Sequence, residues 1–597
     1  MSSFRTVLVR DSTLGDLTDD IDYAVLSGGS QCTYQAFPTT SASNSAAIWN
    51  VQIPSENVVI GRDVLINTGL TFRLNLGSAT VAANQVPALG VAMDIGNSDA
   101  LHAFPLNSLF TTATAQINNT TVSCNVQDVL PSLLRMNNSR QLYAANSCTA
   151  SLPDQAYGEY ADGVGTSNNP LAGYNTSSYD VDQVPRGAFP LTYTVEHFTV
   201  LGGAVPVDAS LTASAAATDT WIVTISTIIS EPLFLSPFIF GDGEFNKQGF
   251  LGINNMSFTF NIDSEAKRLW STANNYVTSI NLGSAANPNG FNYQAQTVGG
   301  AILQVPPASP QMLFKFLSSQ PSDLIASKNI VPYMDFPRYL TSSANASAVA
   351  SGATSLLTSS NVQINQIPDL FIINIRKPMA TQNSSDADAF FKINNISINL
   401  NNQSGLLSSS SAYDLWKMSV RNGSTQTWAE FGGQSQASAA VAGDPTTRVV
   451  TTGSLLIINP AYDLSLPDYI SCGSLGNYNF QFNVGVTNQF SDIITPEICT
   501  ITVNSGIMST QQGVSSIYTG ILTKEMVLDA KSKQQASAVK SAEIKRMVGG
   551  SLFNMPLSAI ASKIGKYLPL ARQLTGLGTS GGGTSGGGTS GGAKKYC

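Results

Sequence analysis

Ile393-Asn-Asn-Ile-Ser-Ile-Asn-Leu400 is the stretch from which the fold can be inferred. Its apolar and polar residues alternate, as in a half-buried β-strand, and Leu415-Trp-Lys-Met418 after it has the spacing of an amphipathic helix. Earlier in the chain, Ile117-Asn-Asn-Thr-Thr-Val-Ser-Cys124 precedes Leu133-Leu-Arg-Met136. We align the two Ile-Asn-Asn starts with each other. The shared order of strand and helix predicts a duplicated module.

Alternating apolar segments surround both copies of the module, with turn residues between them and few helical patterns. They are Trp49–Ile53, Leu70–Leu76, Trp221–Ile229 and Met256–Ile262 in the first half, and Phe371–Ile375, Leu455–Ile458, Tyr478–Val486 and Cys499–Val503 in the second. This pattern predicts an all-β chain of two β-sandwiches. Eight strands in two Greek keys, a jelly roll, fit each half once long loops are allowed.

Domain limits follow from the same pattern. We expect a first jelly roll at residues 1–265, a second at 266–522 and a basic tail at 523–597. Two stretches read as long loops: Tyr157 to Arg186 is polar and rich in Gly, Asn and Tyr, and Ser342 to Ser360 is almost all Ser, Ala and Thr. Long loops in compact domains are usually functional or covered by a partner.

Charge is scarce and unevenly distributed. Only 11% of the 597 residues are charged and 43% are apolar, which argues against disorder of the main body. The tail from residue 521 holds eleven Lys and Arg against three Asp and Glu, whereas the first 520 residues hold nineteen against thirty-five. A basic tail on an acidic body predicts contact with an anionic partner such as nucleic acid or a membrane face; a solvated basic helix is the alternative.

The six cysteines form no C-x-x-C pair and no zinc spacing, and Cys124 and Cys499 occupy apolar strand positions as small core residues. The chain starts without the apolar segment of a signal peptide, and no run approaches the ~20 apolar residues that span a bilayer. We therefore expect a protein that is not secreted, has no transmembrane segment and is made in a reducing compartment.

Residues for catalysis are not evident. His102 and His197 are the only histidines, neither stands in the context of a nucleophile, and no phosphate-binding glycine loop occurs. Asp128 and Asp414, in the two matched helical regions, are interpreted as helix-terminal charges. The sequence predicts no catalytic residue, no cofactor and no metal site.

The basic tail contains two helical segments. Lys524 to Met547 has high helix propensity and ends at Gly549-Gly550. The second segment is a cationic amphipathic pattern that predicts contact with a membrane, with nucleic acid or with a protein groove. Its apolar and basic residues are Phe553, Leu557, Ile560, Lys563, Ile564, Lys566 and Arg572. A Gly/Ser/Thr-rich stretch with the composition of a flexible linker follows.

Several motifs between about residues 25 and 530 resemble one family, the major capsid proteins of the virophage, polinton-like and adenovirus-related lineage of double-stranded DNA viruses. These motifs are Glu231-Pro-Leu-Phe-Leu-Ser-Pro-Phe238 with Gln248-Gly-Phe-Leu-Gly-Ile-Asn-Asn255, the Ile393–Met418 block with Thr427-Trp-Ala-Glu430, Asp463-Leu-Ser-Leu-Pro-Asp468 with Gly473-Ser-Leu-Gly-Asn-Tyr-Asn479, and Tyr518-Thr-Gly-Ile-Leu-Thr-Lys524.

The resemblance implies a double jelly roll and a homotrimer of pseudo-hexagonal outline that tiles an icosahedral shell. It implies a structural virion protein without enzymatic activity, assembled inside the host cell, whose partners are its own copies, neighbouring capsomers, and penton and other minor capsid proteins. The two long loops would then form outer towers and contacts between subunits.

Two tail motifs resemble sites of adenovirus-type maturation proteases. Met547-Val-Gly-Gly550 before Ser551 fits a cut between Gly550 and Ser551, and Leu574-Thr-Gly-Leu577 before Gly578 fits a weaker site between Leu577 and Gly578. A viral maturation protease is therefore a candidate partner. The alternative is that Gly549-Gly550 only ends the preceding helix and forms a hinge.

Other functions stay open at the level of sequence. A β-rich carbohydrate-binding or adhesion protein would share the β pattern, although a secretion signal is missing. A β-sandwich glycoside hydrolase needs only two carboxylates, so scarce histidine does not exclude it. A penton- or spike-type minor capsid protein with a single jelly roll is disfavoured by the duplication.

Overall fold

The computed structural model describes residues 30–520, with gaps at 56–57, 77–98, 137–157, 159, 161–190, 200–219, 239–248, 274–276, 285–286, 292–295, 299–300, 305–306, 308, 320–328, 342–346, 438–446, 465 and 467–471. The predicted tail segments and almost all of the predicted loop from Tyr157 to Arg186 therefore lie outside the described residues.

The first half contains two main antiparallel sheets. Its strands are β1 (Ser30–Pro38), β2 (Ser41–Ala42), β3 (Ala46–Gln52), β4 (Val58–Ile60), β5 (Leu65–Leu76), β6 (Asp99–Leu101), β7 (Phe110–Ile117), β8 (Thr120–Cys124), β9 (Leu191–Thr199), β10 (Thr220–Pro232), β11 (Asn255–Ile262), β12 (Trp270–Thr272), β13 (Val277–Leu282), β14 (Gln296–Val298), β15 (Ala301–Gln304) and β16 (Gln311–Ser319). One sheet has the order β1-β16-β5-β10-β9, with β4 and β13 attached, and the other has the order β2-β3-β11-β7-β8.

The second half repeats this plan. Its strands are β17 (Asn329–Asp335), β18 (Arg338–Thr341), β19 (Thr354–Thr358), β20 (Val362–Gln366), β21 (Leu370–Arg376), β22 (Lys392–Leu400), β23 (Gln403–Leu406), β24 (Gln434–Ala437), β25 (Thr447–Val450), β26 (Leu456–Ile458), β27 (Leu475–Thr487), β28 (Glu497–Gln511) and β29 (Val514–Thr519). The two sheets have the orders β17-β28-β21-β26 and β19-β27-β22-β23.

Both halves have the topology of a jelly roll. In the first half the first main strand β1 pairs with the last, β16, and β16 pairs with β5, which pairs with β10. In the second half the first strand β17 likewise pairs with β28 near the end of the chain, β28 pairs with β21, and β21 pairs with β26. The opposite sheets, β3-β11-β7-β8 and β19-β27-β22-β23, also correspond strand for strand. The predicted all-β double jelly roll is confirmed.

Alternating burial explains why these segments form strands. In β11, Met256, Phe258, Phe260 and Ile262 are buried while the residues between them are exposed or half-buried. The second core is built in the same way from β22 and β27, and a stacked ring pair with centroids 4.1 Å apart joins its two sheets: Phe371 of β21 and Phe480 of β27. The apolar faces of both sandwiches therefore meet between their sheets.

The change between the two sets of sheets lies after β16 and before β17. Strands β13 and β16 pair with β5 and so belong to the first sandwich, although they follow residue 266. The boundary expected at residues 265 and 266 thus precedes the last two strands of the first sandwich. The expected loop from Ser342 to Ser360 is also partly wrong, because it contains β19, which pairs with β27.

The duplicated module is real, but the Ile-Asn-Asn alignment is out of register. The turn between β7 and β8 contains Asn118 in the left-handed region (φ 51°), and the turn between β22 and β23 contains Asn401 (φ 52°). Asn118 therefore corresponds to Asn401, whereas Asn394 lies inside β22. Asparagine tolerates this conformation better than most residues, which explains its place in both turns.

Short helices connect the strands. They are α1 (Pro105–Leu109), α2 (Val126–Leu134), α3 (Ala412–Arg421), α4 (Trp428–Phe431) and α5 (Pro460–Asp463), together with a 3-10 turn at Met379–Thr381. Helix α2 follows β8 and helix α3 follows β23, so the predicted helix after each copy of the module is confirmed. Among the described residues, no helix combines the length and the apolar character needed to cross a bilayer.

Candidate functional site

Buried charge is concentrated where the two sandwiches meet, and we call this contact the junction. It is formed by α2 and residues 99–104 and 268–272 of the first half, against β18, β21 and residues 382–390 of the second half. Among the described residues, no group of His, Cys, Asp and Glu could hold a metal ion. The ion pairs between the two halves make the junction the candidate site.

Asp128 in the first turn of α2 binds two arginines of the second half. Its Oδ1 accepts a hydrogen bond from Arg376 at the end of β21. Its Oδ2 lies 2.6 Å from Nε of Arg338 in β18. Arg376 also donates to Oε1 of Glu497 over 2.9 Å. The Arg376 side chain is only 3% exposed, so its charge depends on these carboxylates for compensation.

The electrostatics of this cluster keep Arg376 charged. Burial by itself lowers the pKa of the Arg376 guanidinium, but Cys499, Asp128 and Glu497 together shift the pKa upward beyond its ordinary value. Removing one partner of a buried pair leaves an uncompensated charge, which typically destabilises a protein by about 3–5 kcal/mol. The Asp128 cluster therefore makes correct docking of the two halves a condition for stability.

A second charged cluster has the opposite polarity. Here Asp388 of the second half accepts hydrogen bonds from two arginines of the first half, through its carboxylate from Arg268 and through its backbone carbonyl from Arg135. Arg268 also donates to Oε1 of Gln382 over 2.9 Å. The Arg135 guanidinium lies 4.8 Å from the ring centroid of Phe390. Because the two clusters have reversed charges, only one register of the halves satisfies both.

Neutral hydrogen bonds extend the junction along α2. Asn374 Nδ2 of β21 donates to Ser132 Oγ over 3.1 Å, and both residues are buried. At the end of the helix, the backbone N–H of Thr425 donates to the carbonyl of Arg135 over 2.9 Å. Every residue of α2 except Gln127 is buried. The second half thus covers a helix that a sandwich alone would leave partly open.

The β7–β8 turn contacts the last strand of the second half. Ser515 donates through its backbone N–H to Asn119 Oδ1 over 2.8 Å and through Oγ to the carbonyl of Ile117 over 2.5 Å. In return, Thr120 Oγ1 donates to the carbonyl of Ser515 over 2.8 Å. Strand β29 therefore hydrogen-bonds to the β7–β8 turn of the first half, although nearly 400 residues of chain separate the two.

The junction does not have the chemistry of an active site. His102 Nε2 lies 3.5 Å from Asp388 Oδ2, as in pairs that orient a catalytic base, but both side chains are 4% exposed and Arg268 also binds that carboxylate. Burial, with Asp335 and Asp128 nearby, raises the pKa of Cys124 to about 12. Burial also raises the pKa of Cys499 to about 11. Thiols with raised pKa are poor nucleophiles, in agreement with the prediction that both are core residues.

The sequence interpretation of the two helix acids is half correct. Asp414 caps α3 as expected. Its carboxylate accepts from the Ser411 hydroxyl over 2.7 Å and from the Ser411 backbone N–H over 3.0 Å, and these two hydrogen bonds lower the pKa of Asp414. Asp128 stands in the same turn of α2 but bridges the two halves, which sequence reasoning missed. The candidate tail residues, from Gly550 to Gly578, lie outside the described residues.

Two family models match this chain. The model described as "Sputnik virophage major capsid protein 1st domain" matches residues 2–317, which is more than half of the chain. The model described as "Major capsid protein V20 C-terminal domain" matches residues 336–506. The interval between the two matches contains the point where the sheets of the first half give way to those of the second.

Individual relatives agree with these matches. "Putative capsid protein V20" of Sputnik virophage is 27% identical over 583 residues, covering 94% of this chain and 88% of that protein. A chain in the cryo-EM structure of the Sputnik virophage superimposes with a TM-score of 0.68 at 25% identity, covering 91% of this chain and 98% of that one. The crystal structure of the mavirus major capsid protein shares the fold, with a TM-score of 0.59 at 14% identity and coverage of 90% and 100%. This chain belongs to the family of virophage major capsid proteins.

Proposed function

We propose that this chain forms a virus shell as a homotrimer with a pseudo-hexagonal outline, and that such capsomers tile an icosahedral lattice. The observation that carries the proposal is the pair of jelly rolls with one strand order, joined through a buried junction of two charge clusters. Three copies of a two-unit chain present six similar edges, which suits a lattice position with six neighbours.

A structural function agrees with the chemistry of the described residues. Buried ionic clusters at the junction hold two domains in one register, and the histidine–carboxylate pair is enclosed among them. The protein would act in the virion, where its partners are other copies of itself, neighbouring capsomers, and penton and other minor capsid proteins. The adhesion and glycosidase alternatives have no support in the family to which the chain belongs.

The mass of the purified native protein tests the trimer. Native mass spectrometry should give three times the chain mass of 62.9 kDa, and negative-stain images should show a hexagonal outline. Denatured protein provides the single-chain reference. A native protein that stays at one chain mass at every concentration and never forms shells would refute the proposal.

For the tail, we propose proteolytic maturation between Gly550 and Ser551, with a second site between Leu577 and Gly578. The amphipathic segment that begins at Phe553 would contact the genome or a membrane inside the particle. Intact-mass analysis of the capsid protein from purified particles tests this: the major species should end at Gly550. A mass that includes Cys597 in mature particles would contradict the cleavage.

A further inference from the structure

The core face of β1 is covered at one end and open at the other. Side chains alternate between the two faces of a strand, so Phe37, Gln35 and Thr33 share the core face. Phe37 packs against the rings of Phe314 and Phe316 of β16, with centroids 5.7 and 6.0 Å away. Gln35 and Thr33 stand opposite the same two phenylalanines, yet both are exposed. Among the described residues, the first core is therefore open to solvent along this part of β1.

The edge of β1 is open as well. In the part of the chain that the structure describes, β1 pairs with β16 on one side and with no strand on the other. The backbone N–H and C=O groups of that edge can therefore bond one more strand. Long edge strands are normally paired or covered, because an open edge promotes aggregation. The nine residues of β1 thus predict a partner strand.

On its outer face, β1 presents an aromatic ring beside a positive charge. Tyr34 is 74% exposed and stands opposite Lys315 of β16. Nζ of Lys315 lies 5.9 Å from the centroid of the Tyr34 ring, so the ammonium group leans toward β1. A partner strand therefore meets apolar surface on the core face and a cation on the outer face.

The residues that directly precede β1 have the matching pattern. Residues 20–26 read Asp-Ile-Asp-Tyr-Ala-Val-Leu, in which every second side chain is a large apolar or aromatic one and two of those between are acidic. Ser27-Gly-Gly29 follows, and three residues with glycine are a common connection in β-hairpins. Both stretches lie outside the described residues. Their sequence indicates an amphipathic strand and a turn.

We propose that residues 20–26 add to the free edge of β1 as an antiparallel strand of the same chain, with residues 27–29 as the turn. The added strand gives the open edge its backbone partners and closes the open part of the first core. A partner from the same chain is favoured, because closing a short loop costs less entropy than binding a separate chain. The contact lies within one sandwich and does not depend on the proposed trimer.

The length of the turn decides which side chains lie together. With a three-residue turn, Tyr23 stands opposite Thr33 on the core face. Asp22 stands opposite Tyr34 on the outer face, where its carboxylate meets the ammonium group of Lys315. A two-residue turn would shift the register by one residue and bury the Asp22 carboxylate on the apolar face. The three-residue turn is therefore the one that suits both faces.

Disulfide formation with the native Cys32 tests this register. Cys32 is a free and exposed thiol of β1, and the three-residue turn places Ala24 opposite it. In the full-length Ala24→Cys variant, mild oxidation with diamide should join positions 24 and 32 within one chain, as identified by peptide mapping. The matched control is Tyr23→Cys, whose side chain points to the other face. A disulfide requires Cβ atoms about 3.5–4.5 Å apart, which the control does not allow.

Relative rates decide the outcome. Without urea, the Ala24→Cys variant should form the bond at least about ten times faster than the Tyr23→Cys variant, and the difference should disappear in urea. Equal rates without urea would overturn the proposal, because both positions would then reach Cys32 only by fluctuation of the chain. The proposal is also wrong if both variants form the bond in urea but neither forms it without urea. A bond that joins two chains, seen as a doubled mass on a non-reducing gel, would show that a second copy occupies the edge and would overturn the contact within one chain.

Discussion

Helices α2 and α3 occupy the same position in the two jelly rolls, yet one is buried and the other is exposed. Each has an aspartate as its third residue, Asp128 in α2 and Asp414 in α3. The carboxylate of Asp128 binds Arg376 and Arg338 of the other half. The carboxylate of Asp414 closes a capping box with Ser411 at an exposed helix start.

The difference shows that position in a duplicated fold does not determine the role of a side chain. A local role, such as capping, needs only the neighbouring residues of the same helix. A bridging role needs a partner surface, and within one chain only the first of the two equivalent helices has one. Substitutions in the two helices should therefore have unequal effects.

Asp128→Ala should have the largest effect. It leaves the buried Arg376 and the partly buried Arg338 without their shared carboxylate, so we expect the free energy of unfolding to fall by about 3–5 kcal/mol. Urea denaturation followed by tryptophan fluorescence measures the loss. The matched control is Asp414→Ala, which should destabilise far less because Asp414 is solvated. Equal losses in the two variants would contradict the bridging role of Asp128.

Ser132→Ala should have a smaller effect on the same junction. It removes the acceptor of the Asn374 amide, and a buried amide without a partner costs about 1–3 kcal/mol. A double-mutant cycle with Asn374→Ala isolates the pairwise energy. Strictly additive losses would show that the two side chains do not interact across the junction.

Ser411→Ala tests the local role on the other helix. The Ser411 hydroxyl accepts from the Asp414 N–H, and loss of an N-cap side chain typically reduces stability by about 1 kcal/mol. Thermal unfolding of the isolated chain measures the change. A fall as large as that of Asp128→Ala would mean that the start of α3 carries a long-range contact which the structure does not show.

Asp335→Asn should give the smallest and most pH-dependent change. Burial raises the pKa of Asp335 in β17, although a hydrogen bond from the Phe336 backbone partly opposes the shift. The folded state therefore binds the proton more tightly, so ionisation lowers stability as pH rises from the ordinary aspartate pKa of about 3.9 through the raised value. Because asparagine does not ionise, the Asp335→Asn variant does not lose stability in this way as pH rises.

The measurement for Asp335→Asn is denaturation at two pH values. The stability of the variant relative to the native protein should be more favourable at pH 7 than at pH 4. A relative stability that is independent of pH, or one that improves at pH 4, would contradict the raised pKa.

Much of the fold follows from local pattern in the sequence. Alternating burial in β11 and β22 is visible as apolar residues at every second position, and the helix after each hairpin is visible as a Leu/Met pattern. The Ile-Asn-Asn alignment failed because the same tripeptide lies at the end of β7 but near the start of β22. What distinguishes Asn118 and Asn401 from Asn394 is a left-handed backbone, which residue identity alone does not reveal.

The candidate site was less accessible to sequence reasoning. Asp128 and Arg376 are separated by 248 residues, and no periodicity links a helix in one half to a strand end in the other. The last strands of the first sandwich, β13 and β16, were assigned to the second half because order along the chain does not show that β16 returns to pair with β1. Long-range pairing is a property of the folded topology, and the strand patterns do not contain it.

Hydroxyl-radical footprinting of the native protein tests most directly the claim that the second half covers α2. Leu130 and Leu133 of α2 are buried, so they should be labelled several times faster in the Asp128→Ala variant than in the native protein, while Tyr413 of α3 should be labelled equally in both. Equal labelling of Leu130 and Leu133 in the two proteins would show that the burial of α2 does not depend on the Asp128 cluster, and would contradict this account.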